Sequence, residues 1–512
     1  MIDQNVDEAI DTDGVSIEES HTEGNYNYQN VLHQNNNNSN SNSVLSISEL
    51  TSSSSNPKIR DPTTPLDFDK PEALDDFQIF QDIFPSFASG GDLPPFLNDF
   101  NTSPANDGNT ENKDVSKLSY FEENMMLKHF FKRLLPLLDA HPSTPWPQLA
   151  LKYCDFEVAK SCFISLACIH LYETKGAKEF YRTGMNHINN TMEYLIDYLR
   201  DKSLGSIGDD GLDVDQIIKN LKQQPLEKQR SNFFVILLLI HVHLLFSVLE
   251  SGRSALVRTF FQLFSGIVKD STFKTYLENI EESATLIITL SWFDTITAVV
   301  SPDCRVPFCD DTWYGDKNSS ISTFQVMGCP GEIFKCIARL CELRKGLKEK
   351  HLNKKQAHEI FVKVKNELLR YREFVLFAND TDENEITLRM KCSQCWSIAV
   401  LLNFYLLVHP EEKEIVNGLL LEFISIYGSM ESTSTHVTQM VWPVFTMSCA
   451  CQTNYQKRHF RKFIDVLYTN AKMGTIHTIG VIAEECWATG KSWEEILSSK
   501  EWLKSGIDFL VV

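Results

Sequence analysis

No cysteine precedes Cys154 in this 512-residue chain. The 13 cysteines that follow are scattered and odd in number, which excludes a dense disulfide scaffold and fits a reducing compartment. Basic residues are scarce at the front. Residues 1–115 hold 21 acidic and 4 basic residues, leaving 47 and 44 for the other 397. The sequence therefore reads as an acidic tail on a nearly neutral body, and its net charge of −20 argues against holding a polyanion by bulk charge. Met1 to Ile10 is acidic and polar, without the basic start and apolar core of a signal peptide, so none is expected. Long apolar runs are also rare. Phe233 to Leu249 carries no charge, but it falls short of the ~20 residues that cross a bilayer and is bounded by Arg230 and Glu250. The expectation is a helix buried on all sides.

The motifs of common catalysis are missing. There is no P-loop, no Gly-x-Gly-x-x-Gly, no Gly-x-Ser-x-Gly elbow and no His-Glu-x-x-His. The acidic clusters Asp310-Asp311 and Asp380 to Glu385 do not repeat carboxylates along one helical face. No enzyme is expected. Cys392 and Cys395 form the one Cys-x-x-Cys, inside a helical pattern and without a second pair at zinc spacing, so no metal or redox centre is expected there. Cys449 and Cys451 read as packing residues. His241 and His243 lie two apart and point away from each other on a helix, which reads as core histidines with satisfied partners.

What is present in the body is helix after helix. Leu127, Phe130, Phe131, Leu134, Leu135 and Leu138 keep the i, i+3, i+4, i+7 rule, and Ile333, Phe334, Ile337, Leu340 and Cys341 repeat it. Similar patterns cover roughly 155–200, 228–270, 274–300, 356–378, 386–408, 411–427, 437–450, 456–473 and 476–488. No run alternates as a strand, and no fixed-period repeat occurs. The prediction is an all-α protein with one large helical regulatory domain over 116–512, preceded by a disordered acidic tail over 1–115. The polar stretch 201–215 reads as an internal loop.

The tail is rich in Asn, Ser and Pro, holding eight of the chain's 18 prolines. It has too little apolar surface to offset ordering entropy. Residues 66–100 differ from their surroundings. Phe68, Phe77, Phe80, Phe84, Phe87, Phe96 and Phe100 are interleaved with eight acidic residues. Phe77, Phe80 and Phe84 share one face of a helical turn. This composition fits an amphipathic activation segment that folds into a coactivator groove; docking on the protein's own body is the alternative. Two basic runs, Arg344 to Lys355 and Lys457 to Lys462, read as solvated faces, each a candidate nuclear import signal.

Several stretches resemble, in order, the regulatory domain of fungal zinc binuclear-cluster transcription factors. These are Ser291-Trp292-Phe293-Asp294 followed by Arg305-Val306-Pro307-Phe308, then Met327 to Ile333 with its Gly-Cys-Pro turn. Trp442-Pro443-Val444-Phe445, Cys449, Arg458, Gly474 and Trp487 complete the series. The match spans roughly 120–512 and is closest to the branch of lysine-biosynthesis and γ-aminobutyrate-pathway activators. Ser448 stands where the family often has glycine. The resemblance implies a nuclear transcription regulator, an activator of RNA polymerase II genes, with coactivators as partners and a small-molecule effector left unspecified. An adaptor or scaffold outside transcription is the competing expectation. Family members normally begin with a six-cysteine zinc cluster that reads DNA. With no cysteine before Cys154, no such cofactor and no sequence-specific DNA binding of its own are expected of this chain. Either the sequence is truncated or begins late, or the chain acts without its own reader; a DNA-bound relative or a homodimer is the expected partner state.

Overall fold

Helix starts in this molecule are written locally. Ser119 and Glu122, Thr453 and Gln456, and Ser492 and Glu495 each form a reciprocal capping box, in which the first side chain accepts from the third backbone N–H and the third side chain accepts from the first. Glycine in the left-handed region stops two helices, Gly176 at φ 71° and Gly490 at φ 72°. The computed structural model describes residues 118–138, 146–199, 214–278, 281–315, 322–327, 329–376, 385–430, 439–499 and 508–512, all within one compact unit, Ala73–Val512.

In chain order, α1 (Tyr120–His129) runs through a π turn (Phe130–Leu134) into α2 (Leu135–Leu138). Then come α3 (Trp146–Tyr153), α4 (Phe156–Lys175), α5 (Lys178–Leu199), α6 (Val214–Gln223) and α7 (Leu226–Glu250). The two-residue strand β1 (Arg253–Ser254) separates α7 from α8 (Val257–Lys269), α9 (Ser271–Glu278) and α10 (Glu281–Val300). The second half holds α11 (Thr323–Met327), α12 (Gly331–Lys348), α13 (Lys354–Leu376), α14 (Glu385–Val408) and α15 (Lys413–Tyr427). It closes with α16 (Val441–Cys449), α17 (Asn454–Ala471), α18 (Gly474–Thr489), α19 (Trp493–Leu497) and β2 (Asp508–Phe509). The all-α expectation holds; among the described residues the strands amount to one antiparallel pair, Arg253 opposite Phe509 and Ser254 opposite Asp508.

Two apolar helices organise the core. α7 is covered by α3, α4, α5, α6, α8, α9, α10 and α18, and α14 by α11, α12, α13, α15 and α16. Helix α10 joins the two halves, packing on α7 and α8 on one side and on α12 on the other. Three stretches are long and apolar enough to cross a membrane: Ser231–Glu250, Ser283–Val300 and Thr387–Val408. Yet 94%, 83% and 78% of them is buried inside the protein. Their apolar surface is already taken up by neighbouring helices.

Three details depart from the sequence reading. The 155–200 pattern is two helices parted at Gly176, and the 228–270 pattern breaks at 251–256. The stripe from Leu127 to Leu138 is not one regular helix. The Leu135 N–H bonds back to Phe130 O, a five-residue step that rotates the later residues and leaves Leu135 and Leu138 only half-buried. Arg344 is buried rather than solvated. It donates to Val299 O, pairs with Glu494 at 3.0 Å and lies over the Trp493 ring at 5.2 Å. The tail 1–115, the 66–100 segment with Phe77, Phe80, Phe84, Phe87, Phe96 and Phe100, and most of the 201–215 loop lie outside the described residues, as does Gly328.

Candidate effector cavity and buried charge network

Helix α10 carries two features on opposite faces, because Trp292 and Asp294 lie two residues apart. Asp294 is fully buried. Its Oδ1 accepts from Arg305 Nη1 at 2.8 Å, and its Oδ2 accepts from the backbone N–H groups of Phe308 at 2.5 Å and Cys309 at 2.8 Å. One carboxylate thereby fixes the loop after α10. This is the physical content of the Trp-x-Asp and Arg-x-Pro stretches: an ion pair and two backbone hydrogen bonds in low dielectric. The Arg305 guanidinium also lies over the Phe308 ring at 4.9 Å and the Phe261 ring at 5.7 Å.

The network continues outward. Arg305 Nε lies 3.9 Å from Asp508 Oδ2, within ion-pair range but too long for a hydrogen bond. Asp508 instead accepts from Arg258 Nε at 3.2 Å and Nη2 at 2.9 Å, and Arg258 also reaches both oxygens of Asp303 at 2.8 and 3.2 Å. Burial opposes ionisation of Asp303, but hydrogen bonds from Ser301 and Arg258 prevail and hold its carboxyl below the usual range. The final segment is bound by backbone as well. Leu510 N donates to Gly252 O at 2.6 Å, and Thr475 Oγ1 donates to Leu510 O at 2.7 Å. Gly252 adopts φ 73°, and a Cβ there would meet Thr475 Oγ1 at 2.5 Å.

On the other face of α10, Trp292 borders a recess. Thr285, Leu286 and Thr289 from α10 join it with His241 and Leu245 from α7. Leu138 of α2, Trp146 of α3 and Val326 of α11 complete its described wall. The recess is shallow and small, with room for about one water-sized group. Three residues around it each carry a fully buried polar atom without a hydrogen-bond partner: His241 Nδ1, Thr285 Oγ1 and Trp292 Nε1. Burial pushes the His241 imidazole down to about 3, so it is neutral at physiological pH.

The other sequence candidates sort as follows. His243, on the far side of α7, contacts Phe260 and lies 3.4 Å from Thr191 Oγ1, whereas His241 is not the satisfied core histidine expected. Cys392 and Cys395 are buried in α14, where burial pushes the Cys392 thiol up to about 12 and raises the Cys395 thiol well above its ordinary value. Asp310 accepts from Thr312 N and Oγ1, a local turn. Residues 380–384 lie outside the described residues. Trp442 is buried at the start of α16, with Pro443 beside it in the first turn. Trp487 is half-buried, and its Nε1 donates to Ser448 O at 2.8 Å, which ties α18 to α16 at the residue that departs from the family pattern. Cys449 is likewise held against the protein, its thiol pushed up by burial and by Cys486. Of the basic runs, Arg458 and Lys462 stay exposed, while Arg461 pairs twice with Glu484. Sequence reasoning missed Arg258, Asp303 and Asp508, and also Trp146 and Thr285, whose relation exists only after folding.

The fungal specific transcription factor domain is matched over residues 112–505. The chain belongs to that family. No curated protein and no solved structure matches it. Among the described residues no three His, Cys, Asp or Glu side chains are grouped as they would be around a metal ion.

Proposed function

We propose that this protein is a nuclear regulator of RNA polymerase II transcription, in which the helical body governs an acidic activation segment at 66–100. The observation that carries this reading is the family match across 112–505. The interleaving of seven phenylalanines with eight acidic residues supports the activation role. The exposed basic side chains of α17 are the candidate import signal, and coactivators are the partners the aromatic segment suits. The reading assigns no catalytic step to the chain. On this reading the protein reaches DNA through a DNA-bound relative, base readout being supplied by that partner, and it can also pair with a second copy of itself.

Residues 66–100 fused to an unrelated DNA-binding domain should activate a reporter. A groove that buries the aromatics gains ~1.5–3 kcal/mol for each one fully buried, less the ordering cost of the segment. Phe77, Phe80 and Phe84 changed together to Ala should abolish most of the signal, and Asp75 and Asp76 changed to Asn should lower it only in part. A silent fusion would favour the adaptor reading instead.

A further inference from the structure

We infer that the exposed cationic face of α17 is a docking site for residues 73–100 of the same chain; this rests on the proposed role of that segment and names the surface through which the body governs it. Helix α17 carries Lys457, Arg458, Arg461 and Lys462 against one carboxylate, Asp465. Arg461 is engaged by its neighbours, paired with Glu484 and laid over the Trp487 ring at 5.2 Å. Arg458 and Lys462 are not. They lie one helical turn apart, both exposed, and among the described residues neither has an ion pair. Tyr455 lies on the same face, 53% exposed, with its ring 4.5 Å from that of His459. An aromatic beside two uncompensated cations is thus left open to solvent.

Charge and reach select the occupant. Residues 73–100 hold five aspartates, no Lys, Arg or His, and six phenylalanines between them. The carboxylates suit Arg458 and Lys462, and the phenyl rings suit Tyr455 and the guanidinium plane. Helix α15 also exposes apolar side chains, Ile415 and Leu421, but Glu411, Glu412 and Glu414 at its start repel an acidic segment. A nucleic acid would find few free cations on α17, on a chain of net charge −20. His129 at the end of α1 bonds His170 at 2.8 Å, and His170 bonds the Ala471 carbonyl at the end of α17 at 3.1 Å. Leu118 therefore lies within about 55 Å of Arg458, along one short helix, two rings and four turns of another. The 34 residues from Phe84 to Leu118 can extend to about 110 Å. The tether thus reaches the face and supplies an effective concentration on the order of 1 mM. Docking withholds the phenylalanines from a coactivator and covers the candidate import signal together.

Photo-cross-linking reads the contact directly. Full-length protein carrying p-benzoylphenylalanine in place of Phe80 is irradiated in dilute solution, and peptide mapping should place the cross-links on residues 451–469 of the same chain. Arg458→Glu combined with Lys462→Glu should cut their yield at least about fivefold, as should raising the salt from about 0.05 to about 0.5 M. Both side chains are exposed and unpaired, so this double variant should melt like the parent. Asp75, Asp76 and Asp82 changed to Lys in its background should recover the cross-links. Lys354→Glu with Lys355→Glu, the same charge change on α13, should leave them as in the parent. The inference is overturned by cross-links that map elsewhere, that join two chains, or that survive the α17 reversal. A silent reporter fusion of 66–100 beside intact cross-linking would count against the activation reading and leave the docking site standing.

Discussion

Asp294 shows how much one side chain can hold. Its oxygens serve an arginine and two backbone donors at once, in a position closed to water. Asp294→Asn keeps the shape but leaves the buried Arg305 guanidinium with only the longer Asp508 contact and turns an amide donor toward other donors. A loss of about 3–5 kcal/mol should appear as a lower urea midpoint. Replacing Arg305 by Met as well should not restore the parent's stability, because the N–H groups of Phe308 and Cys309 still need their acceptor. Buried histidines give a second residue-scale expectation. His241 and His243 are both pushed down to about 3 by burial, against an ordinary value near 6.5. Each is neutral in the folded chain, while the unfolded chain takes up a proton below about pH 6.5; stability is therefore full above that value and falls as pH drops toward the folded values, by up to about 1.4 kcal/mol per pH unit for each group. His129 joins them. His170 Nε2 must donate to the Ala471 carbonyl, so His170 Nδ1 accepts from His129 Nε2–H at 2.8 Å, and burial followed by His170 holds His129 at about 4. Melting temperature should drop as pH falls from about 6.5 toward 4, and His243→Gln, which cannot titrate, should flatten the slope.

At the scale of elements, the glycines of α18 and α15 make a matched pair of tests. Gly474 opens α18 where it crosses the end of α7, and a Cβ there would sit 1.9 Å from the Glu250 carbonyl oxygen. Gly474→Ala must push the two helices apart, and a cost above about 3 kcal/mol is expected on thermal or urea denaturation. Gly418 lies mid-helix on the exposed face of α15 with nothing near its missing Cβ, so Gly418→Ala should stabilise by about 0.5–1 kcal/mol. Element existence was largely legible in the sequence, since periodic leucines and phenylalanines repeat at 3.6 residues wherever a helix buries one face. Legibility failed where the cause was not periodic. Five-residue bonding after Phe130 leaves the apolar stripe intact while changing the turn, and Arg344 reads as one more basic residue until Val299 and Glu494 are brought beside it. The candidate site was half legible. Trp292, Asp294 and Arg305 stood out through the stretches that carry the family resemblance, whereas Asp508 is an ordinary residue whose partners, Arg258 and Arg305, lie more than 200 residues away.

For the whole molecule, the composition of 1–115 and the continuous core beyond it predict that limited proteolysis removes an acidic fragment and leaves one resistant helical body beginning near residue 116. Several stable fragments of similar size, or a substantial β signal in circular dichroism of the remainder, would contradict this. The body is tied together by contacts that are far apart in sequence. Arg258 waits for Asp508 across 250 residues, His170 for Ala471 across 301, and Leu137 for Gln439 across 302. At ribosomal speeds of about 5–20 residues per second, the arginine emerges roughly 12–50 s before its aspartate. During that interval helix α7 can gather its cover from α3 to α10, all made by residue 300, while the place of α18 stays open. The clasp at Asp508 thus closes last, over a body whose first half has had time to assemble.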